Sequence, residues 1–144
     1  MTPLRTGAIV TDDMAAHIYA GVAGKVLPRP EWTHPAHLVF AAALLGHEGL
    51  MVAERRAPSL IRGYNESVGG VNDDRHGYHH TITLFFLRHI DEFLALHTNE
   101  AIGARATRLL ASPLAEPEYP LRFYSRERLF SVEARKEWVG PDLT

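Results

Sequence analysis

Residues 32–52 read WTHPAHLVFAAALLGHEGLMV, and this stretch predicts a long central helix. Thr33 is a favourable N-cap, and Pro35 follows in the first turn, where a missing backbone N–H costs nothing. Residues 38–45 are apolar almost all round, which is typical of a helix that is buried on every side. Pro58 is expected to end or bend the helix, because proline removes a backbone hydrogen bond from a helix interior. The rest of the fold should assemble around this element.

The remaining sequence predicts an all-α fold. Helical spacing of apolar residues gives three further helices: one from Thr11 to about Gly24, one from Tyr78 to about His97, and a shorter one through residues 102–110. Residues 59–68 resume the helical spacing, and residues 69–77, GGVNDDRHG, form a loop by composition. The segment from Leu121 is too aromatic to be free in solvent, so it should pack back on the helices. We therefore expect a single domain over residues 1–144, a helical bundle of four main helices with a C-terminal wrapping segment.

Composition and charge narrow the classes of function. The chain has 144 residues, of which 46% are hydrophobic and 22% charged, with a formal net charge of −2 and no cysteine. A nearly neutral chain with interleaved basic and acidic residues offers no uniform field to nucleic acid or to an anionic membrane. No apolar run reaches the roughly 18 residues of a membrane span, and no signal-peptide pattern is found. These features predict a soluble, cytoplasmic protein that binds neither nucleic acid nor membranes, and they leave a homo-oligomer open.

Histidines give the strongest functional signal. His34 and His37 are three residues apart at a helix start, so their Cβ atoms should lie on one face, about 5–6 Å apart. A third imidazole from the next long helix, His79 or His80, would complete three protein ligands and leave one position open. Adjacent helical residues diverge, so only one of these two should reach the ion. The pattern predicts a divalent metal ion (Zn, Ni, Mn or Fe), with histidines satisfied in the core or in loops as the alternative.

Polar residues near the two histidine segments are candidates for the chemistry around such an ion. Three of them could transfer or orient a proton: Tyr64, Tyr78 and His80. Four others could bind a small polar or anionic substrate: Arg62, Asn65, Asn72 and Arg122. Ordinary loop and surface chemistry is the alternative for Asn72 and for both arginines. Trp32 is interpreted as a residue that staples the helix start, with a pocket wall as the alternative.

Several segments resemble a group of small bacterial proteins of uncharacterised function. The matching motifs are WxHxxHL at residues 32–38, GYHxTxT at residues 77–83 and YSRERLFS at residues 124–131, together with Tyr64-Asn65. Members of this group often carry glutamate where this chain has His80, so the resemblance implies His34, His37 and His79 as the matched histidines. It implies no activity, but it does imply that the segment from Tyr124 belongs to the domain. A looser similarity to DinB-like helical bundles concerns architecture only.

Three functions are compatible with these residues. The first, which the histidine pattern favours, is a metal-dependent enzyme in which the bound ion activates a water or a small polar or anionic substrate. The second is a metal-free pocket in which the same histidines and tyrosines bind a small molecule. The third is a structural or interaction protein, such as a homodimer through a helix face, with the histidines satisfied in the core. The residues alone do not decide whether the protein is an enzyme.

Overall fold

The structure, a computed structural model, describes residues 1–143 and contains helices but no strands in this range. The prediction of an all-α fold is confirmed. Six α-helices follow in chain order: α1 (Asp12–Ala23), α2 (His34–Ser67), α3 (His80–Ala95), α4 (Ile102–Leu110), α5 (Arg126–Leu129) and α6 (Val132–Lys136). Three single turns of 3₁₀-helix connect them: Arg29–Glu31, Pro113–Ala115 and Tyr119–Arg122.

The long helix α2 is broken at Gly49, whose backbone angles are φ 78° and ψ 166°. The residues before and after the break form two helical halves, 34–48 and 50–67, that fold back on each other. An unbroken helix would separate residues 32 and 64 by roughly 48 Å at 1.5 Å per residue, yet the rings of Trp32 and Tyr64 are 5.2 Å apart. Pro58 lies inside the second half without interrupting it. The prediction that Pro58 ends the helix is therefore wrong, because the break lies at Gly49, which has a positive φ, whereas a bend at Pro58 stays a prediction.

The core lies between the helices, and α2 packs against α1, α3 and α4. The largest buried side chains come from every long helix and from the tail: Ile18, Leu38, Phe40, Leu44, Leu87, Ile90, Leu109, Leu110, Tyr64, Tyr124 and Leu129. α1 and α4 approach closely at Gly103, where a Cβ atom would lie 2.6 Å from the backbone nitrogen of Asp12. The Asp12 carboxylate accepts a hydrogen bond of 2.8 Å from the Gly103 N–H, so a side chain of α1 caps the first turn of α4.

The C-terminal segment packs back on the bundle, as predicted. Thr81 in α3 donates to the carbonyl of Glu137 (2.9 Å) and accepts from the Val139 N–H (3.1 Å). The buried Tyr124 hydroxyl donates to the Val139 carbonyl at 2.6 Å. The two bonds of Thr81 join α3 to residues more than fifty positions later in the chain, so the C-terminal segment is part of the domain.

One helix, α2, is long and apolar enough to cross a membrane by length and composition alone. Half of the most apolar 18-residue stretch of α2 is buried inside the bundle. The break at Gly49 divides the helix within the fold. These features are those of a core helix and are consistent with a soluble protein.

Candidate functional site

A cavity of about 280 Å³ lies between the two halves of α2 and the start of α3. Its lining is mostly apolar and, within residues 1–143, carries no Lys, Arg, Asp or Glu: Trp32, His34, His37, Leu38, Phe40, Ala41, Ala57, Ile61, Ile82, Thr83, Phe86, Leu87 and Pro117. Two of the histidines that sequence analysis singled out thus share one concave site. The fold-back of α2 at Gly49 creates this site, because it brings Ala57 and Ile61 opposite Leu38 and Ala41.

His37 has a defined hydrogen-bonding state in this cavity. Its Nδ1 lies 2.7 Å from the carbonyl oxygen of Thr33, which can only accept, so Nδ1 carries the proton and donates. The Nε2 atom then presents a lone pair. Burial lowers the pKa of His37 to about 4, the hydrogen bond to Thr33 opposes this shift, and the nearby His34 adds to it. His37 is therefore a neutral acceptor at physiological pH.

His34 lies one turn earlier, and its Nε2 is buried without a hydrogen-bond partner in the described part of the chain. Its ring meets Phe86 edge to face, with centroids 5.5 Å apart. Burial lowers the pKa of His34, so this imidazole is also neutral near pH 7. A buried polar atom left unpaired costs roughly 1–3 kcal/mol, and a bound molecule that pairs with His34 would recover part of that cost.

Trp32 unites the two interpretations that the sequence left open. Its indole stacks on the His37 ring and forms one wall of the cavity. Trp32 precedes the N-cap Thr33, and His37 is the fourth residue of α2, so their contact is also the pair that staples a helix start. Trp32 also lines a more polar groove of about 710 Å³, together with residues that include Arg29, Asn65 and His76. The indole therefore borders both an apolar cavity and a polar surface groove.

His79 caps the start of α3 and joins it to the C-terminal segment. It is the N-cap of α3, and not a residue of its first turn as the predicted helix start at Tyr78 implied. Its Nδ1 accepts from the Ile82 N–H (3.1 Å), and its Nε2 donates to the Leu129 carbonyl (2.8 Å). Both ring nitrogens are engaged, so metal binding would break one of these bonds.

Among residues 1–143, no three His, Asp or Glu side chains are grouped so that they could hold a metal ion. His34, His37 and His79 are therefore not assembled as a triad in this conformation. The metal site with these three ligands stays a prediction, and only its His34–His37 part occupies a common cavity.

Tyr78 and His80 form a second polar cluster beside the start of α3. The Tyr78 hydroxyl and His80 Nδ1 are 2.7 Å apart, and the Arg62 guanidinium lies over the Tyr78 ring at 4.7 Å. Burial raises the pKa of Tyr78 to about 12. Burial, together with the charges of Arg62 and Arg88, lowers the pKa of His80. Neither Tyr78 nor His80 lines the His34–His37 cavity, so the structure does not bring the predicted catalytic and metal-binding residues together.

The other predicted site residues hold the fold together. The buried Tyr64 hydroxyl donates to the Leu27 carbonyl at 2.8 Å. Asn72 organises the glycine-rich loop, because its oxygen accepts from the Tyr78 N–H and from Asn65, while its amide donates to the Arg62 carbonyl. These contacts satisfy polar groups locally and explain why tyrosine and asparagine stand at these positions.

Arg122 is also placed away from the cavity. It pairs with Glu116 at 3.0 Å and lies over the Tyr119 ring at 4.9 Å, on the exposed side of the tail. These contacts are those of an ordinary surface arginine, which is the alternative to a substrate-binding role for Arg122.

Sequence reasoning missed the apolar residues that complete the cavity. Ile82, Thr83 and Phe86 of α3 line it, together with Pro117 of the following irregular segment. The helical spacing of α3 assigned Ile82 and Phe86 to a buried stripe, but the same spacing does not distinguish a packed core from a cavity wall.

No family model, curated protein or solved structure matches this chain. The fold and site define an all-α protein with a mainly apolar cavity that contains two neutral histidines. The chemistry of that cavity is therefore the starting point for its function.

Proposed function

We propose that the protein binds a small, uncharged and largely apolar organic molecule in the His34–His37 cavity. The observation that carries this proposal is the pairing of an apolar lining with an oriented acceptor, the His37 Nε2 lone pair. A cavity of about 280 Å³ lies just below the roughly 300–1,000 Å³ that small-molecule sites occupy, which favours a small ligand.

The lining argues for an uncharged ligand with a hydrogen-bond donor. No charged side chain of residues 1–143 faces the cavity, so a buried ionic group on the ligand would lack a counter-ion. A hydroxyl or N–H group can instead donate to His37, whose proton is held on Nδ1 by Thr33. Trp32 and Phe86 supply flat aromatic surfaces on which a ring can pack. An aromatic or alicyclic alcohol is the simplest molecule that meets all of these conditions.

The protonation state of His37 favours binding over acid–base catalysis. A general base is most effective when its pKa is close to the working pH. Burial holds the pKa of His37 at about 4, which makes it a weak base at neutral pH. Its role in the proposal is accordingly that of a hydrogen-bond acceptor.

The test compares phenol with toluene, which have the same ring and differ by the donor. The chain contains two tryptophans, so Trp138→Phe leaves Trp32 as the only indole and its fluorescence reports on the cavity. We expect saturable quenching or enhancement, with phenol binding roughly 3- to 10-fold more tightly than toluene, as one neutral hydrogen bond allows. In His37→Phe the preference for phenol should disappear. His97→Gln serves as the matched histidine control, because His97 lies just after the C-terminal end of α3 and does not line the cavity.

Two results would overturn the proposal. One is the absence of saturable binding of either ring compound to the folded protein. The other is a preference for phenol that survives unchanged in His37→Phe, because the acceptor would then be another group.

A second candidate function is supported by the available nitrogens of the same two histidines. His34 Nε2 has no partner within residues 1–143, and His37 Nε2 presents a lone pair because Nδ1 carries the proton. Two neutral imidazoles one turn apart could hold Zn, Ni, Mn or Fe if the ligand or water supplied the remaining positions. Elemental analysis of untagged protein by plasma mass spectrometry, beside a His34→Ala/His37→Ala variant, decides between the candidates. Near-stoichiometric metal that is lost in the variant supports this second candidate.

A further inference from the structure

Arg105 differs from every comparable arginine in the described chain. Four arginines are half-buried, and three of them have clear partners. Arg88 pairs with Glu54 at 3.1 Å, Arg128 donates to the Gly140 carbonyl at 2.6 Å, and Arg135 donates to the Gly77 carbonyl at 3.0 Å. The side chain of Arg105 forms no ion pair or hydrogen bond within residues 1–143, and its Nε is buried without a partner. A buried guanidinium nitrogen without a partner is costly, and a ligand that pairs with it would recover part of that cost.

Arg105 lines a second pocket, of about 250 Å³, between α1, the first half of α2 and α4. Small residues make the space, since Ala15, Ala16, Ala43 and Gly46 line the same pocket. This pocket shares no residue with the His34–His37 cavity. It is therefore independent of the function proposed for that cavity.

An acidic and an aromatic group complete the pocket. Asp12 lines it, and its Oδ1 accepts from the N–H of Gly103, two residues before Arg105. Asp12 and Arg105 thus line the same pocket, and no ion pair of the described residues joins them. Tyr19 and His47 also line the pocket, with their rings stacked at 4.6 Å.

We propose that this pocket binds a small zwitterion of the amino-acid type. The guanidinium of Arg105 suits a carboxylate, because its planar donors match the two oxygens. Asp12 suits the ammonium group, since its second oxygen accepts no hydrogen bond from residues 1–143. A simple anion would meet the Asp12 charge as well as that of Arg105, so the two charges together select a ligand that carries both signs. The pocket volume limits the ligand to a small side chain.

The test is a titration of ¹⁵N-labelled protein with L-alanine, acetate and methylammonium, followed by two-dimensional NMR. We expect saturable shifts of the Gly46, Gly103 and Arg105 amides with L-alanine. Acetate and methylammonium should bind roughly tenfold more weakly or worse, because each satisfies only one of the two charges.

Three variants locate the site. Arg105→Gln keeps most of the side-chain length but removes the charge, and Asp12→Asn keeps an oxygen that can still cap Gly103. Each should weaken L-alanine binding by roughly tenfold or more. Arg108→Gln is the matched control, because Arg108 lies on the same helix but is exposed and pairs with Glu100. It should leave L-alanine binding unchanged.

Several outcomes would overturn the proposal. They are acetate binding as tightly as L-alanine, L-alanine binding unchanged in Arg105→Gln, or no saturable shift with any probe. The last outcome would mean that Arg105 is paired by water only. The dispersion of each variant's spectrum shows whether the variant is folded, and Asp12→Asn keeps the test decisive if Arg105→Gln does not fold.

Discussion

The indole of Trp32 stacks on the imidazole of His37, with ring centroids 3.6 Å apart and an angle of 27° between the planes. This contact has two consequences. It fixes the start of α2, because Trp32 and His37 flank the N-cap Thr33. It also covers one side of His37 with apolar surface, which contributes to the burial that keeps the ring neutral. The contact that fixes the start of α2 therefore also positions His37, the hydrogen-bond acceptor of the cavity.

The neutrality of His37 predicts a pH-dependent stability. Burial lowers the folded-state pKa of His37 to about 4, whereas the unfolded chain has the ordinary value near 6.5. Between these values the unfolded state binds more protons, so the free energy of unfolding falls as the pH drops from about 6.5 to about 4 and levels off below. The loss from this one group is at most roughly 3–4 kcal/mol, since one pKa unit corresponds to about 1.4 kcal/mol. Urea unfolding at several pH values measures it.

A comparison of variants assigns this slope to His37. His34, His79 and His80 also have lowered pKa values, so they contribute with the same sign and some slope should remain. His37→Gln should reduce the slope, since glutamine has no proton to gain and can still donate to Thr33. His97→Gln is the control. An unchanged slope in His37→Gln would contradict the assignment.

The two bonds of His79 predict a graded loss of stability. His79→Ser keeps an oxygen that can accept from the Ile82 N–H but loses the bond to the Leu129 carbonyl. His79→Ala loses both. We expect His79→Ala to lower the free energy of unfolding by roughly 2–3 kcal/mol and His79→Ser by about half as much. Chemical denaturation of the three proteins measures the order, and equal losses in both variants would contradict the capping role.

The parts of the fold that sequence predicted are those with local signals. Thr11 and Thr33 cap their helices through bonds to residues three positions ahead, and both were identified from residue type. The apolar spacing of α3 and α4 placed these helices to within about two residues. Signals of this kind require no knowledge of distant residues.

The features of the fold that the sequence did not predict depend on contacts between residues that are distant in the chain. His79 is an uncommon N-cap residue. Its ring is held in place by a hydrogen bond to the carbonyl of Leu129, fifty residues later in the chain. Gly46 and Gly49 look equivalent in the sequence, but only Gly49 has a positive φ. Without that break, the opposing residues of the cavity, Leu38 and Ile61, could not be placed together. The histidine pair could therefore be predicted as a candidate site, whereas the nature of its surroundings could not.

Tyr64, a predicted catalytic residue, is expected to act on stability instead. Its buried hydroxyl donates to the Leu27 carbonyl, so Tyr64→Phe leaves that carbonyl unpaired and should cost roughly 1–2 kcal/mol. Tyr124→Phe is a matched comparison, because its hydroxyl makes an equivalent bond to Val139. Denaturation measures stability, and phenol titration measures binding, which should change less than twofold in both variants. Unchanged stability with abolished binding in Tyr64→Phe would restore Tyr64 to the site.

The break in α2 predicts opposite effects of one substitution at two glycines. Gly49 has φ 78° and ψ 166°, a conformation that alanine adopts only with strain, so Gly49→Ala should destabilise the protein by roughly 1–3 kcal/mol. Gly46 lies in regular helix three residues earlier and is exposed, and a Cβ added there would meet no atom of residues 1–143 within 4 Å. Gly46→Ala should therefore stabilise by up to about 1 kcal/mol.

The same pair also tests how the cavity forms. An added Cβ meets open space at both glycines in the described structure, so steric crowding cannot explain a difference between the two alanine variants. Only the backbone angle of Gly49 separates them. If Gly49→Ala straightened α2, residues 57 and 61 would leave the cavity and phenol binding would fall together with stability. If the two variants behaved alike in urea unfolding, the halves of α2 would not be joined by the turn described here.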